Sequence, residues 1–176
     1  MRKHDATGRS AGGYLPVGRA GKWKFIEGFV GFPQSLLESP GFMRLSPPAW
    51  RVLCFLLREH LRAGGRENGY LLAPYAQVEQ VGVSSRDVSS ALRELQAFGI
   101  IRKTKEGERL GGRRGASHYA LTWLPTADGQ WPTEDFRKVR WEQVDEFFRE
   151  RAVASAFKRE RRKSNRVAAN GPPPEI

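Results

Sequence analysis

The stretch that decides the fold is Gly82-Val83-Ser84-Ser85-Arg86-Asp87-Val88-Ser89-Ser90-Ala91-Leu92-Arg93-Glu94-Leu95-Gln96-Ala97-Phe98-Gly99. Val88, Ala91, Leu92, Leu95 and Phe98 recur at helical spacing and share one apolar side. Arg86, Ser89, Ser90, Arg93 and Ala97 share the opposite side, which is short, polar and cationic, with Asp87 and Glu94 toward its edges. Ser84 stands where a helix cap belongs, Asp87 three residues later completes a partial capping box, and Gly99 marks the end. Gly82 separates this helix from a shorter one predicted over residues 75–81, with Tyr75, Val78 and Val81 facing inward.

On the N-terminal side, Tyr70-Leu71-Leu72 reads as a short strand after the turn Glu67-Asn68-Gly69. Ser46-Pro47-Pro48 opens the central helix, because serine caps free amides and proline suits a first turn that needs no N–H. That helix is apolar nearly all round (Trp50, Val52, Leu53, Cys54, Phe55, Leu56, Leu57, Leu61), so it is predicted at the core, with Cys54 as a buried thiol, and it ends before Gly64-Gly65. On the C-terminal side, residues 100–105 read as a strand and residues 106–115 as a glycine- and arginine-rich hairpin tip. Residues 117–124 form the return strand, with Tyr119, Leu121 and Trp123 alternating.

Helix, strand, helix, turn, helix, strand, basic loop, strand is the order of a winged helix-turn-helix. The expected fold is therefore α+β: a three-helix core with a β-hairpin wing, plus a C-terminal helix and basic disordered termini. Residues 1–22 are expected as a disordered basic arm and 23–125 as the winged-helix domain, whose N-terminal strap carries Trp23, Phe25, Phe29 and Phe32. The strap aromatics suit either core contacts or stacking on single-stranded bases. Residues 126–163 are expected as a helical segment starting near Thr133, and 164–176 as a disordered tail. Trp141, Val144, Phe148 and Ala152 share one face of the last helix, either packed on the core or pairing with a second copy as a homodimer.

Lys and Arg total 30 against 19 Asp and Glu, a formal net charge of +11. Residues 1–24 carry six basic side chains and one acidic; residues 158–176 carry six and two. The chain thus reads as a nearly neutral body with basic ends, which attract polyanions by counterion release or merely keep the protein in solution. Arg102, Lys103, Lys105, Arg109, Arg113 and Arg114 add a third basic cluster at the hairpin, where glycines allow close approach to a duplex. A single cysteine excludes a disulfide within the chain, and no apolar run is long enough to span a bilayer, so a cytoplasmic, nucleoid-associated protein without membrane contact is expected.

The residues from Glu59 to Gly69 (Glu59-His60-Leu61-Arg62-Ala63-Gly64-Gly65-Arg66-Glu67-Asn68-Gly69), then Gly82-Val83-Ser84-Ser85-Arg86, Ala91-Leu92-Arg93-Glu94-Leu95, Phe98-Gly99-Ile100-Ile101 and His118-Tyr119-Ala120-Leu121-Thr122-Trp123-Leu124-Pro125, together resemble a family. It comprises small winged-helix proteins of proteobacterial chromosomes, plasmids and prophages; the resemblance covers roughly residues 25–125. More distantly the chain is similar to the winged-helix domains of plasmid replication initiators. The resemblance implies the fold and DNA binding rather than a particular biological role.

Catalysis is not expected. His4, His60 and His118 lack metal-ligand spacing, no nucleophile, base and orienter set is present, and Gly13 and Gly18 are followed by Arg19-Ala20 where a phosphate loop requires lysine and a hydroxyl residue. No cofactor is implied. Glu59-His60 and Glu67-Asn68-Gly69 are read as a helix end and a structural turn. The expected function is sequence-specific binding of double-stranded DNA as a transcriptional regulator. Ser84, Ser85, Arg86, Ser89, Ser90 and Arg93 would face bases and phosphates, and Lys103, Lys105, Arg109, Arg113 and Arg114 would hold the backbone or minor groove. The alternatives are a replication or partition factor of a mobile element, or an RNA-associated component that uses the fold as a scaffold.

Overall fold

The computed structural model describes residues 28–110 and 113–169, with the backbone alone at 109, 110, 113, 114 and 166–169. The expected arm 1–22, Trp23, Phe25 and the end of the tail lie outside the described residues.

Two single-turn helices come first, α1 (Gln34–Leu37) and α2 (Pro40–Met43), followed by the central helix α3 (Pro47–Arg62). Ser46 is the N-cap of α3 and its hydroxyl oxygen accepts from the Ala49 amide at 3.4 Å. At the other end the Gly65 amide donates to His60 O at 2.8 Å, a closure that Gly64 (φ +61°) and Gly65 (φ +73°) can adopt without a Cβ penalty. Val52, Leu53, Phe55 and Leu56 of α3 are buried, but Trp50 and Cys54 are exposed and Leu57 and Leu61 half-buried. The expectation of a helix enclosed on every side, with a buried thiol, is corrected. Packing on this helix comes chiefly from the helix over residues 85–97 and the strand at 71–72, and Phe32 of the strap stacks on Trp50 and Trp123, 6.4 and 5.7 Å between centroids.

After α3 come β1 (Leu71–Leu72), α4 (Tyr75–Glu79), α5 (Ser85–Ala97) and β2 (Ile101–Lys105). The short β3 (Arg109–Leu110) and β4 (Arg113–Arg114) pair antiparallel at the hairpin, and β5 (His118–Leu121) returns. β1 and β2 both pair antiparallel with β5, which makes a three-stranded sheet in the order β1-β5-β2. The chain is thus a mixed helix-and-sheet (α+β) structure.

Asn68 locks the sheet to the turn that feeds it. Its buried amide donates to Leu121 O, Leu124 O and Pro125 O at 3.0 to 3.1 Å, and its Oδ1 accepts from the Leu121 amide at 2.7 Å. The structural role expected for Glu67-Asn68-Gly69 therefore falls chiefly on this side chain.

The final helix, α6 (Trp141–Ala169), starts eight residues later and ends six residues later than the sequence suggested. A 3-10 turn (Asp135–Lys138) occupies the expected first turn, burying Phe136 against the core. Gly99 permits this close pass: at φ +63° it lies so near Asp135 and Phe136 that a Cβ would come within 2.6 Å of their backbone. α6 then begins with the Gln143 side chain accepting from the Arg140 amide at 2.8 Å. Val144 is fully buried and Phe147 and Phe148 pack on Phe98, 5.2 and 5.8 Å between centroids, whereas Trp141 and Ala152, expected on the same face, are exposed.

Candidate nucleic-acid interface

α5 is presented by a short turn whose geometry depends on glycine. Gly82 adopts φ +79°, and its carbonyl accepts from Arg51 Nη1 of α3 at 2.7 Å, which ties the turn to the central helix. Val83 tucks into the core, and Val88, Ala91, Leu92 and Leu95 bury the inner side of α5. The outer side is open: Arg86, Ser89, Arg93 and Ala97 are exposed and Ser90 is half-buried.

The two edges of that outer side differ from expectation. Glu94 is no edge residue but is fully buried; its carboxylate accepts from the Ser46 amide (2.6 Å), the Ser46 hydroxyl (2.8 Å) and Arg151 Nη1 of α6 (2.6 Å). The N-terminus of α5 is likewise occupied. The Glu79 carboxylate accepts from both the amide (3.1 Å) and the hydroxyl of Ser85. The Ser84 hydroxyl donates to Asp87 (2.9 Å) and makes no cap bond to the helix. Ser84 and Ser85 are exposed, yet two carboxylates already claim their polar groups. A phosphate approaching this terminus would meet the Glu79 and Asp87 carboxylates beside the two serines.

The hairpin is also less cationic than its arginine and lysine content implies. Lys103 pairs with Glu106 at 3.0 Å and Lys105 with Glu108 at 2.7 Å. The hydrogen bond and charge of Glu108 push the Lys105 ammonium above its usual range, and Lys105 holds the Glu108 carboxyl below its own. Arg102 contacts Gln130 at 3.3 Å and lines a second hollow of about 380 Å³ with Tyr70 and His118. The β3–β4 backbone sets Arg109 opposite Arg114 and Leu110 opposite Arg113.

A cleft of about 640 Å³ separates α5 from the hairpin. Ser89, Arg93 and Gln96 line one wall, Lys103, Glu106 and Ser117 the other, and Tyr75 and Ala76 of α4 lie at one end. Of the expected site residues, Ser89, Arg93 and Lys103 are therefore brought together, with Arg86 on the same open side of α5. Tyr75, expected inward, is 45% exposed and lines this cleft, because a five-residue helix buries only Val78. Sequence reading missed Glu79, Glu106, Glu108 and Gln96; the signal available was the i,i+3 spacing of Lys103 with Glu106 and Lys105 with Glu108.

Among the described residues no group of His, Cys, Asp and Glu is placed to hold a metal ion, and no helix is long and apolar enough to cross a membrane. Comparison with family models, with curated proteins and with solved structures finds no match to this chain.

Proposed function

We propose that the chain is a winged-helix protein that binds double-stranded DNA in a sequence-specific manner and acts as a transcriptional regulator. The element order and the β1-β5-β2 sheet support the winged-helix reading, with α4 and α5 as the helix-turn-helix pair and β2 and β5 as the stem of the wing. The observation that carries the proposal is the exposed outer side of α5: Arg86, Ser89 and Arg93 are open to solvent, and Ser89 and Arg93 share a cleft with Lys103 of the hairpin. A helix of this diameter fits the major groove. Arg86 and Arg93 can each bridge guanine O6 and N7, and Ser89 can serve a base edge or a phosphate. The hairpin would reach the adjacent backbone or minor groove with Arg109, Arg113 and Arg114.

Selection of bound oligonucleotides from a random duplex pool at about 150 mM salt tests this. An enriched motif is expected, and Arg93→Ala should lose roughly 1–3 kcal/mol on that motif and less on random DNA. A pool that stays random, or an equal loss on both kinds of DNA, would remove α5 from the reading role.

A further inference from the structure

We infer that the distal half of α6 is a second DNA-contacting element, a basic helix that grips the phosphate backbone of the duplex without reading sequence. The inference rests on the reading above only for the identity of the polyanion. α6 is anchored at its root by Val144, Phe147, Phe148 and the Arg151–Glu94 pair. From residue 152 to 165 every residue is exposed, a rod of about 21 Å at 1.5 Å per residue. Val153 and Phe157 are the large apolar side chains there, 70% and 67% exposed, and the next six positions are Lys158, Arg159, Glu160, Arg161, Arg162 and Lys163.

Such a helix buries nothing and works against itself. Lys158 neighbours Arg161 and Arg162, and Arg159 neighbours Arg162 and Lys163, at the i,i+3 and i,i+4 spacings where like charges destabilise a helix. A polyanion removes that repulsion, whereas a second copy would set five cations against five and offer only one turn of apolar contact. The root also sits well for this role. Glu94 lies on the flank of α5 away from Ser89 and Gln96, which face the hairpin cleft, so the open side of α5 has the hairpin on one flank and the root of α6 on the other.

The test uses the full chain with Lys158→Gln, Arg159→Gln, Arg161→Gln, Arg162→Gln and Lys163→Gln together, titrated on a random-sequence duplex across salt concentrations. The slope of log K against log salt should fall by up to about 4.5, since each of the five phosphate contacts contributes about 0.9. Affinity for a selected site should fall by the same factor as for random duplex. An unchanged slope would overturn the inference, as would a loss confined to the selected site. So would a dimer seen by sedimentation that Val153→Ser with Phe157→Ser dissolves while the slope stays constant. Failure of base reading by α5 would show separately, as an unenriched pool, with the slope difference on random duplex still measurable.

Discussion

Arg151 of α6 donates to the fully buried Glu94 carboxylate of α5 at 2.6 Å, across 57 positions of sequence. The same carboxylate accepts from the Ser46 amide and hydroxyl that begin α3, so one acid joins three helices. Glu94→Ala should cost about 2–4 kcal/mol in urea unfolding, because it leaves the Ser46 amide without its acceptor and strips Arg151 of its partner. Arg151→Ala should cost less, about 1 kcal/mol, since Arg151 is partly solvated and Glu94 keeps its two Ser46 donors. Equal losses in the two variants would show that the pair, rather than the cap, dominates.

Asn68 offers a cleaner case, because its four bonds all reach backbone between Leu121 and Pro125. Asn68→Ala should destabilise by about 2–3 kcal/mol by leaving buried carbonyls and an amide unpaired. Asn68→Asp should be worse than Ala at neutral pH, since it turns a carboxylate oxygen toward three carbonyl oxygens. Thermal unfolding of both variants checks the order; Asp milder than Ala would contradict it.

These two residues mark the boundary of what the sequence discloses. The inner stripe of α5 was legible because helical periodicity is local: Val88, Ala91, Leu92, Leu95 and Phe98 are all buried as spaced. The strands and the Ser46 cap were legible for the same reason. Glu94 was not, because its burial depends on partners 48 and 57 residues away. Cys54 and Tyr75 were misplaced because apolarity says which residues can be buried, not which flank of a helix the rest of the chain leaves open. At the candidate site, the positions of Arg86, Ser89 and Arg93 followed from periodicity; the acids beside Lys103 and Lys105 left only their i,i+3 spacing as a signal, and the acid beside Ser85 required the turn geometry.

His60, 2% exposed near the end of α3, has its imidazole held below its ordinary value because burial penalises the charged form. The unfolded chain therefore binds this proton more readily than the folded one. The contribution to stability is intact above about pH 6.5 and declines as pH falls below it. Urea midpoints should drop between pH 7.5 and 5.5, and His60→Gln should reduce the drop whatever it does to the midpoint at pH 7.5. An identical pH dependence in the variant would assign the drop to other groups.

The hairpin acids lead to the opposite outcome from a usual loss-of-function series. Glu106 and Glu108 hold Lys103 and Lys105 in exposed pairs, which contribute little to stability but neutralise two hairpin cations, Lys103 at the α5 cleft and Lys105 at the neighbouring hollow. Replacing both, Glu106→Gln with Glu108→Gln, should leave the thermal midpoint nearly unchanged. It should raise affinity for random duplex roughly three- to tenfold at low salt, with a salt slope steeper by about one to two. Because the freed lysines would contact phosphate rather than bases, the ratio of selected-site to random affinity should fall or stay level. Titrations of wild type and variant on both duplexes across salt concentrations decide it. Unchanged affinity would mean that Lys103 and Lys105 stand away from the DNA and that contact by the hairpin falls to residues 109–114.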